Sequence, residues 1–191
     1  RAALSVSSGD ASRWPSNEEF RRQWLDGAVF PGRLDAAKLR SVFHRLETAM
    51  RSELSEERVP LSMEALDIDH IMPQSWYSHW PLPDGSNVSM DEANAAAPLR
   101  FMGEGLEPKT LAIHRRQDAL PRIGNLTLVH YGVNRSLQNH AFDAKRKAMF
   151  EHSNLQLNRR LMQRDSWDEA AIADRGEELV KIAMQIWPGP V

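Results

Sequence analysis

Two ionisable residues at the end of an apolar run have the side chains best suited to chemistry. In "ALDIDHIMPQSW" the apolar residues include Leu66 and Ile68, which a strand can bury, and they are followed by Asp69 and His70. Proline cannot donate to a strand ladder, so Pro73 sets a limit to this strand. An acid beside an imidazole at a strand end is either a local ion pair or the start of an active site.

Phosphodiester hydrolysis is a reaction that such a pair could serve. It needs a base that takes a proton from water and a cation that neutralises charge on the scissile phosphate. A neutral imidazole such as His70 suits the base. Carboxylate and amide oxygens suit Mg²⁺ or Mn²⁺ better than Zn²⁺, and Asp69 and Asn134 would supply them. Neighbouring strand residues point to opposite faces, so both can serve one site only where the strand ends.

The elements around these residues predict a strand–loop–strand–helix order. Residues 61–71 form the first strand, and residues 76–120, with several prolines and Asp84-Gly85, are expected to be an irregular connection. Leu126–Val129 forms the second strand, and Asn139–Phe150 forms a helix that puts Lys145, Arg146 and Lys147 near the surface. This order can build a ββα unit, with Asp69, His70, Asn125 and Asn134 at its junctions.

Helices are predicted on both sides of this unit. Ser16 and Glu19 fit a capping box, and Asp35 precedes a helix whose apolar residues recur every three or four positions. A second capping box is expected at Ser166 and Glu169, before a helix through Trp187. We therefore expect a mostly helical α+β fold with a helical lead-in or docking region at 1–60, a ββα core at 61–165 that carries the candidate site, and a C-terminal helix at 166–191.

Composition narrows the class of protein. The chain has 191 residues, is 41% hydrophobic and 26% charged, and carries a formal net charge of −2, which argues against a strong autonomous nucleic-acid binder. The segment from His114 to Lys147 is nevertheless basic, and Arg122, Arg135 and Arg146 within it are predicted DNA contacts. Cysteine is absent, which fits a reducing cytosol, and no apolar run suggests a membrane span. The first residue is Arg1, so we expect a longer protein.

Several stretches resemble a known family. "DIDHIMPQSW", "RIGNLTLVHYGVNRSLQNHAFDAKRKAMFEHSNLQLNRRL" and the closing "WDEAAI" and "IWP" resemble the C-terminal nuclease domain of GmrSD-type restriction enzymes, a branch of the HNH or His-Me finger endonucleases. "WPSNEEFRRQWL" resembles the helical lead-in of that family, and "IDHIMPQSW" also resembles the HNH domain of Cas9. SspE-like phosphorothioate-sensing proteins are candidates for the whole protein.

The resemblance implies a role for each residue. His70 is the general base, Asp69 and Asn134 hold one divalent metal ion, Mg²⁺ or Mn²⁺, and Asn125 braces the loop and orients the histidine backbone. Lys145 is implied to contact a phosphate. The implied fold is a ββα-metal core, and the implied partners are double-stranded phage DNA and an N-terminal ParB-like NTPase domain, in the cytoplasm of a prokaryote.

Other interpretations stay open for these residues. The Asp69–His70 pair alone is more often a structural ion pair, Asn125 alone is more often a turn former, and "KRK" at 145–147 is often only a solvated helix face. At the level of function, the alternative to a nuclease that nicks or cuts both strands is a catalytically degenerate module for DNA binding or domain docking.

Overall fold

The computed structural model describes residues 13–51, 62–102 and 105–190. In chain order these residues form α1 (Asn17–Asp26), α2 (Ala36–Met50), β1 (Leu66–His70), α3 (Met90–Leu99), α4 (Pro108–Ala119), β2 (Leu126–His130), α5 (Tyr131–Leu137), α6 (Phe142–His152), α7 (Gln156–Met162) and α8 (Glu169–Ile186). The described part is mostly helical and contains one two-stranded sheet, which confirms the α+β class.

The lead-in forms the predicted helical pair. At the start of α1, the Ser16 hydroxyl accepts from the Glu19 backbone N–H at 3.2 Å, and the Glu19 carboxylate accepts from the Ser16 N–H at 2.8 Å. Asp35 caps α2 through the Lys38 N–H at 2.8 Å. Between the helices, Val29–Arg33 is an irregular segment in which Phe30 has extended backbone angles.

The two strands pair antiparallel over five residues each. Asp69 lies opposite Thr127, and His70 lies opposite Leu126. The predicted strand at 61–71 is too long: residues 62–65 are not in a strand, and residue 61 lies outside the described ranges. The physical reason is the partner strand, which ends at His130 opposite Leu66, so residues before Leu66 have no ladder to join.

The prediction that residues 76–120 are irregular is wrong, because they contain α3 and α4. A capping box of Ser89 and Glu92 starts α3, and Pro108 lies in the first turn of α4. Proline is tolerated there because the first helical N–H groups have no intrahelical partner. Pro98 likewise lies in the last turn of α3 rather than in a loop.

The helices after β2 also differ from the prediction. The predicted helix at Asn139–Phe150 begins instead at Phe142, and α5, which starts directly after β2, was not predicted. It is only seven residues long and contains Gly132, so its periodicity is too short to detect.

The start of the C-terminal helix is corrected as well. Its N-cap is Asp168, whose carboxylate accepts from the Ala171 N–H at 2.8 Å, and the predicted capping box of Ser166 and Glu169 is absent from the described structure. Asp at the position directly before the helix is as good a cap as Ser, so the sequence allowed both choices.

One hydrophobic cluster joins all three predicted regions of the chain. Its buried members come from α2, β2 and α8, among them Phe43, Leu46, Leu128 and Leu179. A second cluster buries three tryptophans, Trp76, Trp80 and Trp167, and it also includes residues of α3, α4 and α6. In the described ranges, no helix has the length and apolar character needed to cross a membrane.

Candidate active site

Asp69 and His70 end β1, and their side chains take different partners. Asp69 is 8% exposed, and both of its carboxylate oxygens accept hydrogen bonds from Lys145, which lies on α6. The His70 ring is half-buried and contacts Phe30, in the segment between α1 and α2. His70 therefore connects the end of β1 to the lead-in, and Asp69 connects it to α6.

Lys145 is the charge partner of Asp69. Its ammonium Nζ lies 3.1 Å from Oδ1 and 3.0 Å from Oδ2 of Asp69, and 2.6 Å from the carbonyl oxygen of His70. An ammonium carries three N–H groups, and these three acceptors use all of them. In this arrangement Lys145 has no donor left for a phosphate.

The predicted surface position of Lys145 is wrong, because the residue is 0% exposed. Phe142, Lys145 and Met149 are spaced three and four residues apart, so they share the buried face of α6. Lys147 is the exposed member of the "KRK" run, with 77% of its side chain accessible.

Burial acts against both charges of the Asp69–Lys145 pair. It raises the pKa of Asp69, and the nearby Lys145 ammonium opposes that shift. It lowers the pKa of Lys145, and the Asp69 carboxylate opposes that shift in turn. Each buried charge therefore depends on the other, and neither is expected to tolerate loss of its partner.

One nitrogen of the His70 ring is identified as the hydrogen-bond donor by its partner. Its Nε2 lies 3.0 Å from the carbonyl oxygen of Phe30, and because a carbonyl can only accept, Nε2 carries the hydrogen. Burial lowers the pKa of His70, the bond to Phe30 raises it, and the Lys145 charge lowers it further. The net lowering keeps the imidazole neutral at pH 7, with the lone pair on Nδ1.

Asn125 ties together the segments around the strand ends. Its Oδ1 accepts from the Met72 N–H at 2.9 Å and from Trp167 Nε1 at 3.1 Å. Its Nδ2 donates to the carbonyl oxygens of Met72 at 2.9 Å and Leu120 at 3.0 Å. Asn125 is 0% exposed, so this side chain fixes the backbone two residues after His70.

The C-terminal helix α8 binds the backbone on both sides of Asn125. Nη1 of Arg175 donates to the carbonyl oxygens of Gly124 and Leu126, both at 2.7 Å. A Cβ on Gly124 would lie 2.0 Å from the Ile172 carbonyl oxygen, so only glycine permits this approach. Burial lowers the pKa of Arg175 to about 9. No residue pattern in the sequence indicates these contacts, since Arg175 and Trp167 look like ordinary residues in and before a terminal helix.

Asn134 lies in α5, which packs against both strands. It is half-buried, and in the described structure its side chain makes no hydrogen bond to Asp69 or His70. No group of three His, Asp or Glu side chains in the described ranges could hold a metal ion.

The donor types nevertheless fit a hard cation. The Asp69 carboxylate has about four lone-pair sites, and Lys145 occupies two of them. The amide oxygen of Asn134 is a second hard ligand. Mg²⁺ is commonly held by one or two carboxylates together with waters and substrate phosphates, so a site with so few protein ligands suits it.

The predicted DNA contacts have different surroundings. Arg135 is exposed, with its guanidinium 5.9 Å from the centre of the Tyr131 ring. The Arg146 side chain is bound to other parts of the protein. It donates a hydrogen bond to the Arg164 carbonyl oxygen at 2.9 Å and forms ion pairs with two carboxylates. Arg122 is half-buried, and its Nε is buried without a hydrogen-bond partner in the described structure. Of the four predicted contacts, Arg135 is the one that the fold leaves exposed.

These features define an α+β domain in which a neutral histidine and a buried acid lie side by side at the end of a strand pair. The model of the family "GmrSD restriction endonucleases, C-terminal domain" matches residues 14–182, and the chain belongs to that family. The family makes it a restriction-endonuclease module with DNA as its substrate. Comparisons with curated proteins and with solved structures gave no match.

Proposed function

We propose that this domain is a metal-dependent DNA endonuclease in which His70 activates the attacking water. The observation that carries the proposal is the state of His70: a neutral imidazole with its Nε2 hydrogen bonded to a carbonyl, next to Asp69 at a strand end. A general base must be unprotonated and oriented before the reaction, and the lowered pKa of His70 and its bond to Phe30 support these two conditions.

The remaining roles follow from the donor types. Asp69 and Asn134 would hold one Mg²⁺ or Mn²⁺ ion, which would neutralise charge on the scissile phosphate and on the leaving oxygen. Nδ1 of His70 takes the proton from water. Asn125 is a positioning residue, since it fixes the backbone after His70 and does not reach the surface.

We infer that β1, β2 and α5 form the ββα-metal unit of an HNH nuclease. The supporting features are the antiparallel strand pair, the helix that starts directly after β2, and the order Asp69, His70, Asn125, Asn134 along the chain. Lys145 then acts as a positioning residue that holds the Asp69 carboxylate and the His70 carbonyl, and a phosphate contact is not part of its role.

Affinity for DNA is proposed to be weak and independent of sequence. The overall charge is −2, which argues for weak binding. The affinity should fall steeply as salt rises, because contacts to phosphates gain their free energy from the release of counterions. We place the domain in a prokaryotic cytoplasmic protein that acts on phage DNA and also has an N-terminal ParB-like NTPase domain. That domain would then supply recognition.

Nicking of a supercoiled plasmid tests the proposal. With Mg²⁺ or Mn²⁺ the parent protein should nick, and His70→Ala should lower the rate by at least ~10²-fold, the usual scale for losing a general base. His79→Ala is the matched control, because His79 is an exposed histidine that should have no effect. Activity should disappear in EDTA and return with added metal.

Two results would overturn the proposal. Full cleavage in excess EDTA would exclude the metal mechanism. A parent protein that binds DNA but cleaves nothing with either metal would instead point to a degenerate DNA-binding or docking module.

A further inference from the structure

The segment between α1 and α2 reaches the catalytic histidine. The Phe30 carbonyl oxygen lies 3.0 Å from Nε2 of His70, although the two residues are 40 positions apart in the chain. The two rings also contact each other, with their centres 5.9 Å apart and their planes inclined by 31°. The lead-in therefore makes both a polar and an apolar contact with this side chain.

The backbone next to the Phe30 carbonyl is anchored to a third segment. The backbone N–H groups of Val29 and Phe30 both donate to the carbonyl oxygen of Pro121, at 2.8 and 3.2 Å. Pro121 lies in the same turn as Arg122, just before the segment that contains Asn125. The acceptor for His70 is thus fixed by the backbone that leads into β2.

We propose that Phe30 is a positioning residue of the active site, whose carbonyl holds the Nε2 hydrogen of His70 and turns the Nδ1 lone pair toward the attacking water. The proposal rests on the proposed function, because it assumes that His70 is the base. It assigns a working role to the lead-in, a region in which the sequence offered no chemistry.

The physical basis is the chemistry of a neutral imidazole, which has one donor and one acceptor nitrogen. A fixed acceptor at Nε2 selects the tautomer that leaves Nδ1 free, and it restrains rotation of the ring. In the described structure Nδ1 makes no hydrogen bond to the protein, so it is free to take a proton. At metal sites, loss of the partner that orients a histidine typically costs 10–100-fold in activity, and we expect a loss of the same order here.

The contact can be tested in the parent protein by nuclear magnetic resonance of ¹⁵N-labelled histidine, without any activity measurement. A ring N–H that is free in water exchanges too quickly to be seen, whereas one held on a carbonyl in a half-buried site gives a resolved signal. We expect an Nε2–H signal for His70, assigned by its loss in His70→Ala. Its absence from the folded parent protein would overturn the proposal.

Paired glycine variants test the effect on the reaction. Phe30→Gly with Pro31→Gly frees the backbone that carries the acceptor. Pro83→Gly with Asp84→Gly does the same in a second turn that also contains proline and glycine. We expect the first pair to lose the His70 N–H signal and to lower kcat for nicking by about 10–100-fold with little change in KM. The second pair should keep the N–H signal and kcat within about twofold of the parent, because the hydrogen bonds described for that turn do not involve His70.

Phe30→Leu separates the carbonyl from the ring. It keeps the acceptor and removes the aromatic contact, so the N–H signal should remain and kcat should fall less than in the glycine pair. If the glycine pair does not fold, the His70 N–H signals of the parent and of Phe30→Leu still test the contact. A folded glycine pair that nicks at the parental kcat would refute the role of Phe30. Parental nicking by His70→Ala would instead refute the proposed function and leave the N–H measurement as an independent test of the contact.

Discussion

Replacing Lys145 by methionine should destabilise the fold rather than weaken DNA binding. The substitution keeps an unbranched chain of similar length but removes the ammonium, which leaves the Asp69 carboxylate and the His70 carbonyl without their donor. Breaking a buried ion pair by removing one partner costs about 3–5 kcal/mol. For a chain of this size, 1 kcal/mol lowers the melting temperature by roughly 2–4 °C, so the expected decrease is roughly 6–20 °C.

The measurement is urea unfolding of the parent and of Lys145→Met, with Lys147→Met as the control. Lys147 lies two residues away on the same helix with 77% of its side chain exposed, so its loss should change the free energy of unfolding by less than about 0.5 kcal/mol. Asp69→Asn combined with Lys145→Met removes both charges and should be less destabilised than Lys145→Met alone.

The phosphate-contact interpretation predicts the opposite pattern. Lys145→Met would then unfold like the parent but bind every duplex more weakly, as a lost phosphate contact does. Unchanged stability in Lys145→Met would therefore refute the buried-pair reasoning. A loss of DNA affinity in a folded variant would restore Lys145 to the predicted DNA interface.

Three further predictions concern the support of the site and its surface. Asn125→Ala should lower the free energy of unfolding in urea by at least about 3 kcal/mol, because several buried backbone groups lose their partner. Gly124→Ala should destabilise the folded protein strongly, because the added Cβ would clash with α8. In Gly85→Ala the added Cβ meets open space, so the variant should lose only about 1–2 kcal/mol of stability for its positive φ. Equal melting temperatures for the two variants would contradict this. In a salt titration of DNA binding, Arg135→Ala should weaken binding to two unrelated duplexes equally and Arg146→Ala should not, because Arg146 is tied to the protein.

The sequence predicted the elements that have strong local signals. The caps at Ser16 and Asp35 set where α1 and α2 begin, and both appear in the structure. A strand that contains Asp69 and His70 was also predicted, from the apolar residues around them and from Pro73, although the predicted range of 61–71 was too long. These features depend on a few neighbouring residues, so no knowledge of the rest of the chain was needed.

Contacts between distant segments could not be predicted in the same way. Lys145 was placed on the surface because three basic residues in a row suggest a solvated face, and only the packing of α6 against the strand ends shows that it is buried. The bond from His70 to Phe30 uses a backbone carbonyl, which every residue possesses, so no residue type could indicate it. The helices in 76–120 escape prediction for a different reason. Proline usually breaks a helix, but Pro108 lies in the first turn of α4 and Pro98 in the last turn of α3.

The site is assembled from segments that lie far apart in the chain, and this has a consequence for any attempt to shorten the domain. His70 is held by the lead-in and Asp69 by α6, while Asn125 is supported by α8 through Arg175. The same segments share one hydrophobic cluster, in which α2 and α8 cover the buried face of β2. A fragment limited to 61–165 would keep the two strands and α5 but would lose the carbonyl that orients His70 and much of the apolar surface that covers β2. This fragment therefore cannot supply the geometry of the proposed base, because two of the supports for the site, the lead-in and α8, lie outside it.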